Sequence, residues 1–276
     1  YYKLIYFKMI DTKKLLPIEI DDLVRVGRDN DGGYVLPQRI FNFCDGLLSY
    51  GINKDWSFEK EFFKKKPKTV IHCYDHTLNV FSVIFFSLKS FFLTILYGLL
   101  FDKKRLVKSI YGIYTIIDYI LFFRKETTHF KNRIWNSNIK NSKTIEDSLL
   151  EIISSEAKNI FVKMDIETTE YKVSESLFAS KKKIMGMVIE FHELDKYNEE
   201  FEKIIKLSTN NFYIAHIHGN NYSNTFLENN FPTTVEITFI NKNLVKKPVA
   251  FSNKKYPIKG LDQPNRFSKP DHKLVF

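Results

Sequence analysis

The sequence predicts an α/β fold built on a Rossmann-like, mostly parallel sheet whose last strand runs antiparallel. Short apolar runs alternate with segments of helical periodicity, and several of these runs end directly at acidic residues. Such alternation is typical of parallel strands joined by crossover helices. The 276 residues are 44% apolar, which is enough for a sizeable core. We therefore expect residues 1–276 to form a single domain with a helical insertion at 79–125.

The segment R-V-G-R-D-N-D-G-G-Y-V-L-P at 25–37 opens the ordered pattern. Asp31-Gly32-Gly33 strongly favours a turn, because glycine adopts positive φ angles without steric cost. A short strand then begins at Tyr34 and stops at Pro37. Two interpretations stay open: a plain β-hairpin, or a loop that closes over a ligand with Arg25 and Arg28 as anion contacts. In the second case Arg25 and Tyr34 would bind substrate.

The remaining elements follow in order. Strands are expected at Gly46–Tyr50, Thr69–Tyr74, around Lys131–Trp135, at Ile160–Met164, Ile184–Glu190, Phe212–His218 and Thr234–Ile240. Helices are expected at Asp55–Lys65, Thr144–Ser155, Tyr171–Ala179 and Lys196–Ser208. Since only a short loop region separates the last two strands, we expect one antiparallel strand at the edge of the sheet.

The segment 79–125 allows three interpretations. Residues 79–101 carry one charge, Lys89, and are long enough to cross a bilayer. Polar stripes favour two amphipathic helices joined at Asp102-Lys103-Lys104. They comprise Ser82, Lys89, Ser90, Thr94 and Gly98, then Lys104, Lys108, Gly112, Thr115 and Tyr119. We expect a hairpin that covers the core, with a peripheral membrane anchor at 79–123 as the alternative. A single spanning helix is disfavoured because it would split the sheet.

The chain has a net charge of +10, but its sequence contains no nucleic-acid-binding motif. Its lysine clusters are short and are expected to be solvated: 64–66, 103–105, 181–183 and 246–247. We expect no nucleic-acid partner, whereas an anionic membrane surface or an acidic substrate suits this charge. Cys44 and Cys73 are too few for a disulfide framework, which favours a cytoplasmic location, at the inner membrane face if the anchor forms.

The candidate site follows from the strand ends, since ligands of open α/β sheets bind at the carboxyl ends of the strands. Gly51 follows the first of these strands and Asp75 the second, while Asp165 and Glu167 follow the run Ile160–Met164. A glycine there lets a ligand approach the backbone, and a carboxylate can accept both hydroxyls of a ribose. The phosphate-binding patterns G-x-G-x-x-G and G-x-x-x-x-G-K-[ST] are absent from the sequence, which disfavours nicotinamide and nucleoside-triphosphate chemistry.

An ordered set of sequence pieces resembles the FkbM-like S-adenosylmethionine-dependent methyltransferases. The pieces are R-V-G-R-D-N-D-G-G-Y-V-L, S-Y-G-I-N-K-D-W-S-F-E at 49–59, Y-D-H-T at 74–77, V-K-M-D-I-E-T-T-E at 162–170, V-I-E-F-H at 188–192 and I-H-G-N-N at 217–221. The resemblance implies a seven-stranded class I methyltransferase sheet. It also implies that many relatives O-methylate sugars of surface glycans or natural products.

The resemblance also implies a cofactor site. Gly51 corresponds to the donor-loop glycine, Asp75 to the ribose acceptor, and Asp165 with Glu167 to the acids beside the methyl group. Tyr50 and His76 flank these positions and are expected to contact the cofactor. Two departures stand out: the donor loop keeps only Gly51, and Thr168 occupies the place where related sequences usually have glycine after D-I-E.

Catalysis is assigned to His192, Glu190 and Asp165. His192 follows Glu190 by two positions, so both side chains face the same side of a strand. An imidazole near its usual pKa of about 6.5 can accept a hydroxyl proton, which makes His192 the preferred general base. His216, His218 and Asn220 are either substrate contacts or structural polar residues. A divalent metal (Mg²⁺, Mn²⁺ or Zn²⁺) held by Asp165, Glu190, His192 and His218 is a further alternative.

These observations predict a methyltransferase that moves a methyl group from S-adenosylmethionine to a hydroxyl of a sugar in a surface glycan or its precursor. One rival is a metal-dependent hydrolase or sugar-modifying enzyme that uses the acid and histidine set. The other is a methyltransferase fold that has lost catalysis and serves as a scaffold.

Overall fold

The computed structural model describes residues 10–180 and 184–276, so the predicted lysine cluster at 181–183 lies outside the described residues. The strands are β1 (Leu23–Val26), β2 (Tyr34–Pro37), β3 (Gly46–Tyr50), β4 (Val70–Tyr74), β5 (Thr127–Phe130), β6 (Arg133–Ile134), β7 (Ser142–Lys143), β8 (Ile160–Met164), β9 (Ile184–Phe191), β10 (Phe212–Gly219) and β11 (Val235–Asn241). The helices are α1 (Ile40–Phe43), α2 (Ser57–Lys65), α3 (Val80–Leu99), α4 (Lys103–Phe122), α5 (Ile145–Ser154), α6 (Glu170–Ala179) and α7 (Asn198–Ser208).

Seven strands form one central sheet in the order β10-β11-β9-β8-β3-β4-β5. The pairs from β9 to β5 are parallel, and β11 runs antiparallel to both of its neighbours. This confirms the predicted fold class, a Rossmann-like methyltransferase sheet. The predicted position of the antiparallel strand was wrong, because β11 lies inside the sheet and β10 forms the edge. The short connection places β11 beside β10, but β11 also pairs with β9 along its other side.

The central strands are apolar because both faces of the sheet are covered. Leu48 and Val162 point into one core cluster, while Leu47 and Phe161 point into the other. All five residues of β8 are buried. A parallel strand covered on both faces has a near-continuous apolar sequence rather than an alternating one.

The sheet strand that was predicted around Lys131–Trp135 lies earlier in the chain. The sheet strand is β5, which pairs with β4 through contacts such as Ile71 with Thr127. The predicted stretch around Lys131–Trp135 instead contains β6, which pairs with β7 in a separate two-stranded sheet. As an edge strand with the sequence T-T-H-F, β5 lacks the apolar run that marks the inner strands.

Helices α3 and α4 form an antiparallel hairpin, and each is 20 residues long. The side chain of Asn79 caps the start of α3, and that of Asp102 caps the start of α4. Only Val83 and Tyr119 of the hairpin belong to the buried core. The expectation that the hairpin covers the core was therefore wrong, because its large apolar side chains point outward. By length and composition, α3 could cross a membrane.

Candidate functional site

A cavity of about 1290 Å³ opens at the carboxyl ends of β3, β4, β8 and β9. Residues of four strand ends and their loops line it: Gly51, Ile52, Asn53, Asp75, His76, Lys163, Asp165, Glu167, Glu190, His192 and Asn220 among them. Pockets for one small molecule usually measure roughly 300–1,000 Å³. This cavity therefore has room for two small ligands side by side, as a group-transfer reaction requires.

The loop after β3 lies directly against the loop after β8. Gly51 has a φ of 76°, and a Cβ placed on it would lie 1.7 Å from the backbone oxygen of Asp165. The ammonium group of Lys163 donates a hydrogen bond to the Gly51 carbonyl. Only glycine fits here, because any side chain would displace the neighbouring loop. The glycine that the sequence places in the donor loop is thus required by backbone packing.

Asp75 stabilises the loop after β3 through hydrogen bonds. One of its oxygens accepts hydrogen bonds from the backbone N–H groups of Ile52 (3.0 Å) and Asn53 (2.7 Å), and the other accepts three from Thr77 and Leu78. Burial alone would raise the pKa of Asp75, but these bonds lower it below its usual value. A carboxylate offers about four acceptor positions. Its predicted role of accepting both ribose hydroxyls therefore requires that several of these five bonds be given up.

The buried carboxylates at the floor of the cavity meet a buried cation that was not predicted. Lys163 lies two residues before Asp165 on β8, and its ammonium is 3.7 Å from the Asp165 carboxylate. Burial lowers the pKa of Lys163, but the charges of Asp165, Glu59 and Glu190 more than offset this and raise it. The sequence feature that could have revealed this buried cation is a lysine within an otherwise apolar five-residue strand.

His192 is held by Glu170, a second residue that was not predicted. Glu170 is fully buried at the start of α6 and accepts hydrogen bonds from the backbone N–H (2.9 Å) and from Nδ1 (3.1 Å) of His192. Nε2 of His192 lies 3.7 Å from carboxylate oxygens of both Asp165 and Glu190, so it shares a face with Glu190 as expected.

The surroundings of His192 hold a proton on the ring. Burial lowers its pKa, but the hydrogen bond to Glu170 and the charges of Glu190, Glu170 and Asp165 outweigh burial and raise it to about 10. At neutral pH His192 is therefore an imidazolium. The role of His192 as general base stays a prediction, since the carboxylates around the ring favour its protonated form, which donates a hydrogen bond.

Glu190 is a buried acid of the floor. Burial raises its pKa well above the usual value, and the nearby Asp165 and Glu236 carboxylates raise it further. The amide of Asn220 donates to Glu190 at 2.7 Å, and the Tyr34 hydroxyl lies 3.3 Å from it. Tyr34 and Asn220, both predicted to bind substrate, line the cavity and position this carboxyl group.

Two predicted contacts point elsewhere. The side chain of Tyr50 is buried, its hydroxyl pairs with the Ser148 hydroxyl at 2.7 Å, and it does not line the cavity. Arg25 donates to the backbone carbonyls of Arg28 and Asn30 and so shapes its own loop. It is Arg28 that lines the cavity.

His216 and His218 are also structural. His216 forms an ion pair with Asp262 at 3.1 Å, and His218 lies 3.3 Å from Glu236 and 2.9 Å from Asp271. Both rings are buried and neither lines the cavity. These pairs fasten the C-terminal segment to β10, so the predicted substrate role was wrong.

Asp165, Glu190 and His192 are grouped closely enough to hold a metal ion. Their candidate ligand atoms lie within 4.8 Å of one another among the described residues. His218, the fourth residue of the predicted set, is occupied by its own ion pairs. Two carboxylates and one imidazole suit Mn²⁺ or Zn²⁺ better than Mg²⁺, which prefers oxygen ligands.

The turn that carries Glu167 has unusual backbone angles. Glu167 has a φ of 49° and Thr168 a φ of 72°, both in the left-handed region. A β-branched residue is disfavoured there, which explains why the resemblance places glycine at the position of Thr168. The Glu167 side chain is 86% exposed and borders the cavity opening.

Comparisons with known proteins add little to this geometry. No family model matches the chain, and no curated protein matches it, so the FkbM assignment remains a resemblance. A precorrin-6Y C5,15-methyltransferase from Geobacter metallireducens is 10% identical over 74% of this chain and 86% of its own, with a TM-score of 0.36. A fibrillarin/Nop5p complex is 9% identical over 71% of this chain and 72% of its own, with a TM-score of 0.35. At these values the likeness carries no argument, and the fold assignment rests on the strand order and directions.

Proposed function

We propose that this chain is an S-adenosylmethionine-dependent methyltransferase whose acceptor is a hydroxyl of a sugar in a surface glycan or its precursor. The observation that carries the proposal is the contact of the Gly51 loop with the Asp165 loop above an acidic floor, at the strand ends where α/β sheets bind ligands. The cavity volume supports a donor and an acceptor bound together.

The donor fits the side of the cavity between residues 51–53 and 165–167. S-adenosylmethionine would supply the methyl group from its sulfonium centre. The carboxylate of Asp165 favours a positive charge at that place, while the backbone contact at Gly51 keeps the two loops together. The exposed ring of His76 lies at the rim, next to the loop that Asp75 braces.

The acceptor would be bound by aromatic and amide groups of the cavity lining. Tyr34, Asn220, Tyr222 and Trp135 provide these groups. Flat aromatic faces beside hydrogen-bonding groups suit a sugar ring, which has both apolar and hydroxyl surfaces.

The residues of the floor then have distinct tasks. Methyl transfer is an in-line displacement, so alignment supplies most of the rate enhancement. The protonated ring of His192 can donate a hydrogen bond to the acceptor oxygen, and Glu170 fixes its orientation. Asp165 is partly exposed to the cavity and is the carboxylate placed to take the hydroxyl proton, held in position by Lys163.

Calorimetric titration with S-adenosylhomocysteine tests the donor site. We expect micromolar binding by the unchanged protein and at least tenfold weaker binding by Asp165→Asn. The control Glu175→Gln changes an exposed acid that pairs with Lys203 on helices outside the cavity, and should bind normally. If the unchanged protein does not bind, the methyltransferase proposal fails and the scaffold alternative gains support.

The acceptor requires a separate test. Incubation with S-adenosylmethionine carrying a labelled methyl group and with glycan precursors should yield label in an ether linkage to a sugar oxygen. Label transferred to nitrogen, or to a sugar-free acceptor, would contradict the carbohydrate part while leaving the donor part intact.

The grouping of Asp165, Glu190 and His192 favours a second candidate, a metal-dependent sugar-modifying enzyme or hydrolase. It predicts stoichiometric metal in the purified protein and loss of activity on chelation. Elemental analysis of the unchanged protein and of Glu190→Gln distinguishes the two candidates, since only a metal centre would lose bound metal in the variant.

A further inference from the structure

The hairpin of α3 and α4 has an inverted distribution of polarity. The side facing the partner helix is small and polar, and Ser87, Ser90, Ser109 and Gly112 are its buried members. The outward sides carry large apolar residues. A helix pair in water normally does the reverse and buries its apolar stripe.

Hydroxyl groups join the two helices. The Thr94 hydroxyl donates to the Ser109 hydroxyl at 2.9 Å, and the backbone N–H of Ile116 donates to the Ser87 hydroxyl at 3.2 Å. A Cβ on Gly112 would lie 2.2 Å from the Ser90 hydroxyl oxygen, so the helices are in close contact there. Small residues that allow close approach, with hydroxyls bonded across the interface, are typical of helices that associate inside lipid.

Large apolar residues are exposed along the whole length of the hairpin. On α3 the exposed apolar residues recur every three or four positions: Phe81, Phe85, Leu88, Phe92, Ile95 and Leu99. On α4 they are Val107, Ile110, Tyr114, Ile117 and Leu121. An exposed apolar surface this extensive marks a site of interaction in a folded protein.

Length and charge identify the partner as a bilayer. Twenty residues of helix span about 30 Å, which is the thickness of the hydrocarbon core. Lys103, Lys104 and Arg105 lie at the tip, and Arg124 and Lys125 lie at the base, so cations flank the apolar part at both ends. Lys89, near the middle of α3, and Lys108, in the second turn of α4, are exposed beside the outward stripes. A second copy of the chain would cover one outward side of the hairpin, whereas lipid covers both.

We propose that the α3–α4 hairpin inserts into an anionic lipid bilayer, with both outward stripes in the acyl chains. Two antiparallel helices return the chain to the side from which it left, so the central sheet remains whole on one side. Phe86, near the start of α3, lines the cavity. The cavity opening therefore lies close to the lipid headgroups, whatever reaction it supports.

Flotation of the full-length chain with phosphatidylcholine vesicles that contain phosphatidylglycerol tests the proposal. The unchanged protein should float with the vesicles. Phe85→Gln with Phe92→Gln replaces two side chains that are 71% and 67% exposed, and should lower the partition coefficient about 1,000-fold, since burying each ring is worth roughly 2 kcal/mol. The matched control Phe251→Gln with Phe267→Gln changes two exposed rings outside the hairpin and should float like the unchanged protein.

A fluorophore on an introduced Phe92→Cys, quenched by lipids brominated in the acyl chain, separates insertion from surface adsorption. The chain's own Cys44 and Cys73 are buried and should not be labelled in the folded protein. Strong quenching supports insertion. Absent flotation, binding that the hairpin variant does not weaken, or a label that acyl-chain bromine does not quench would each overturn the proposal. So would a lipid-free dimer that the hairpin variant dissociates and that does not bind vesicles.

Discussion

At the scale of single residues, Gly51 makes the closest backbone approach of any described glycine. We expect Gly51→Ala to lower the free energy of unfolding by about 3 kcal/mol and to abolish S-adenosylhomocysteine binding, because the added Cβ must displace the Asp165 loop. Chemical denaturation and calorimetry measure the two effects.

Gly260→Ala is the matched control for this change. Gly260 has a similar φ of 82°, but a Cβ there would have no atom within 4 Å. Its substitution should cost only the backbone penalty of about 1–2 kcal/mol. Equal losses in the two variants would show that the contact with Asp165 does not constrain the site.

Replacing Thr168 by glycine is expected to change the free energy of unfolding in the opposite direction. Its φ of 72° is strained for a β-branched residue, so Thr168→Gly should raise the free energy of unfolding by up to about 1 kcal/mol, the relief of strain less the added chain entropy. The neighbouring Thr169 has a right-handed φ of −70°, so Thr169→Gly should be destabilising. A loss of stability in both variants, measured by urea denaturation, would contradict strain at Thr168.

Sequence patterns predicted the position of the acids in the site, but not the side chains that form ion pairs and hydrogen bonds with the site residues. Asp165 and Glu190 follow apolar runs, which made their position at strand ends predictable. Lys163 and Glu170 are buried, and they bind Gly51 and His192, which lie far away in sequence. No local period marks such partners, because they are selected by charge compensation inside the folded protein.

At the scale of elements, the hairpin shows why periodicity alone misled. The predicted polar stripes share Ser90, Thr94 and Gly112 with the interface between the helices. Their lysines are exposed instead, and Ser87 and Ser109 of the interface were not among the predicted residues. In water that stripe faces solvent, whereas here small polar residues face the partner helix and apolar ones face outward. The spacing of apolar residues shows that the two faces of a helix differ, but it does not show on which side the partner lies.

Gly112 and Gly98 form a matched pair for testing the hairpin interface. Glycine to alanine inside a helix normally stabilises by about 1 kcal/mol. We expect that gain for Gly98→Ala, whose Cβ would have its nearest neighbour 4.0 Å away. Gly112→Ala should instead destabilise the helix pair by about 1–3 kcal/mol, because its Cβ would lie 2.2 Å from the Ser90 hydroxyl.

Thermal melting followed by far-ultraviolet circular dichroism measures both variants. Adding Ser90→Gly to Gly112→Ala removes the atoms that the new Cβ meets, and should recover part of the lost stability. If Gly112→Ala is as stable as Gly98→Ala, the helices do not pack as closely as the structure shows.

At the scale of the whole molecule, His218 links the C-terminal segment to the sheet. Burial lowers its pKa, but hydrogen bonds with Asp271 and Glu236 outweigh burial and raise it to about 10. The unfolded chain binds this proton with a pKa of about 6.5. The stabilisation is therefore fully present below pH 6.5 and is lost as the pH rises through about 10.

We expect the free energy of unfolding to fall between pH 7 and 10, by at most about 5 kcal/mol from this group, since one pKa unit corresponds to about 1.4 kcal/mol. Denaturation curves at several pH values should show a flatter dependence for His218→Gln. The exposed His76 provides the control, because His76→Gln should retain the slope of the unchanged protein. An unchanged slope in His218→Gln would contradict the assigned ion pairs.

By itself, the sequence determined the fold class, most of the strands and the edge of the sheet where the acids lie. Apolar runs and helical periods are local signals, and parallel topology follows from their alternation. Only the tertiary structure decided that β11 lies inside the sheet, that His216 and His218 bind the C-terminal segment, and that three carboxylates surround His192. These features depend on charges and hydrogen-bonding groups brought together from distant parts of the chain, where burial makes each uncompensated group costly.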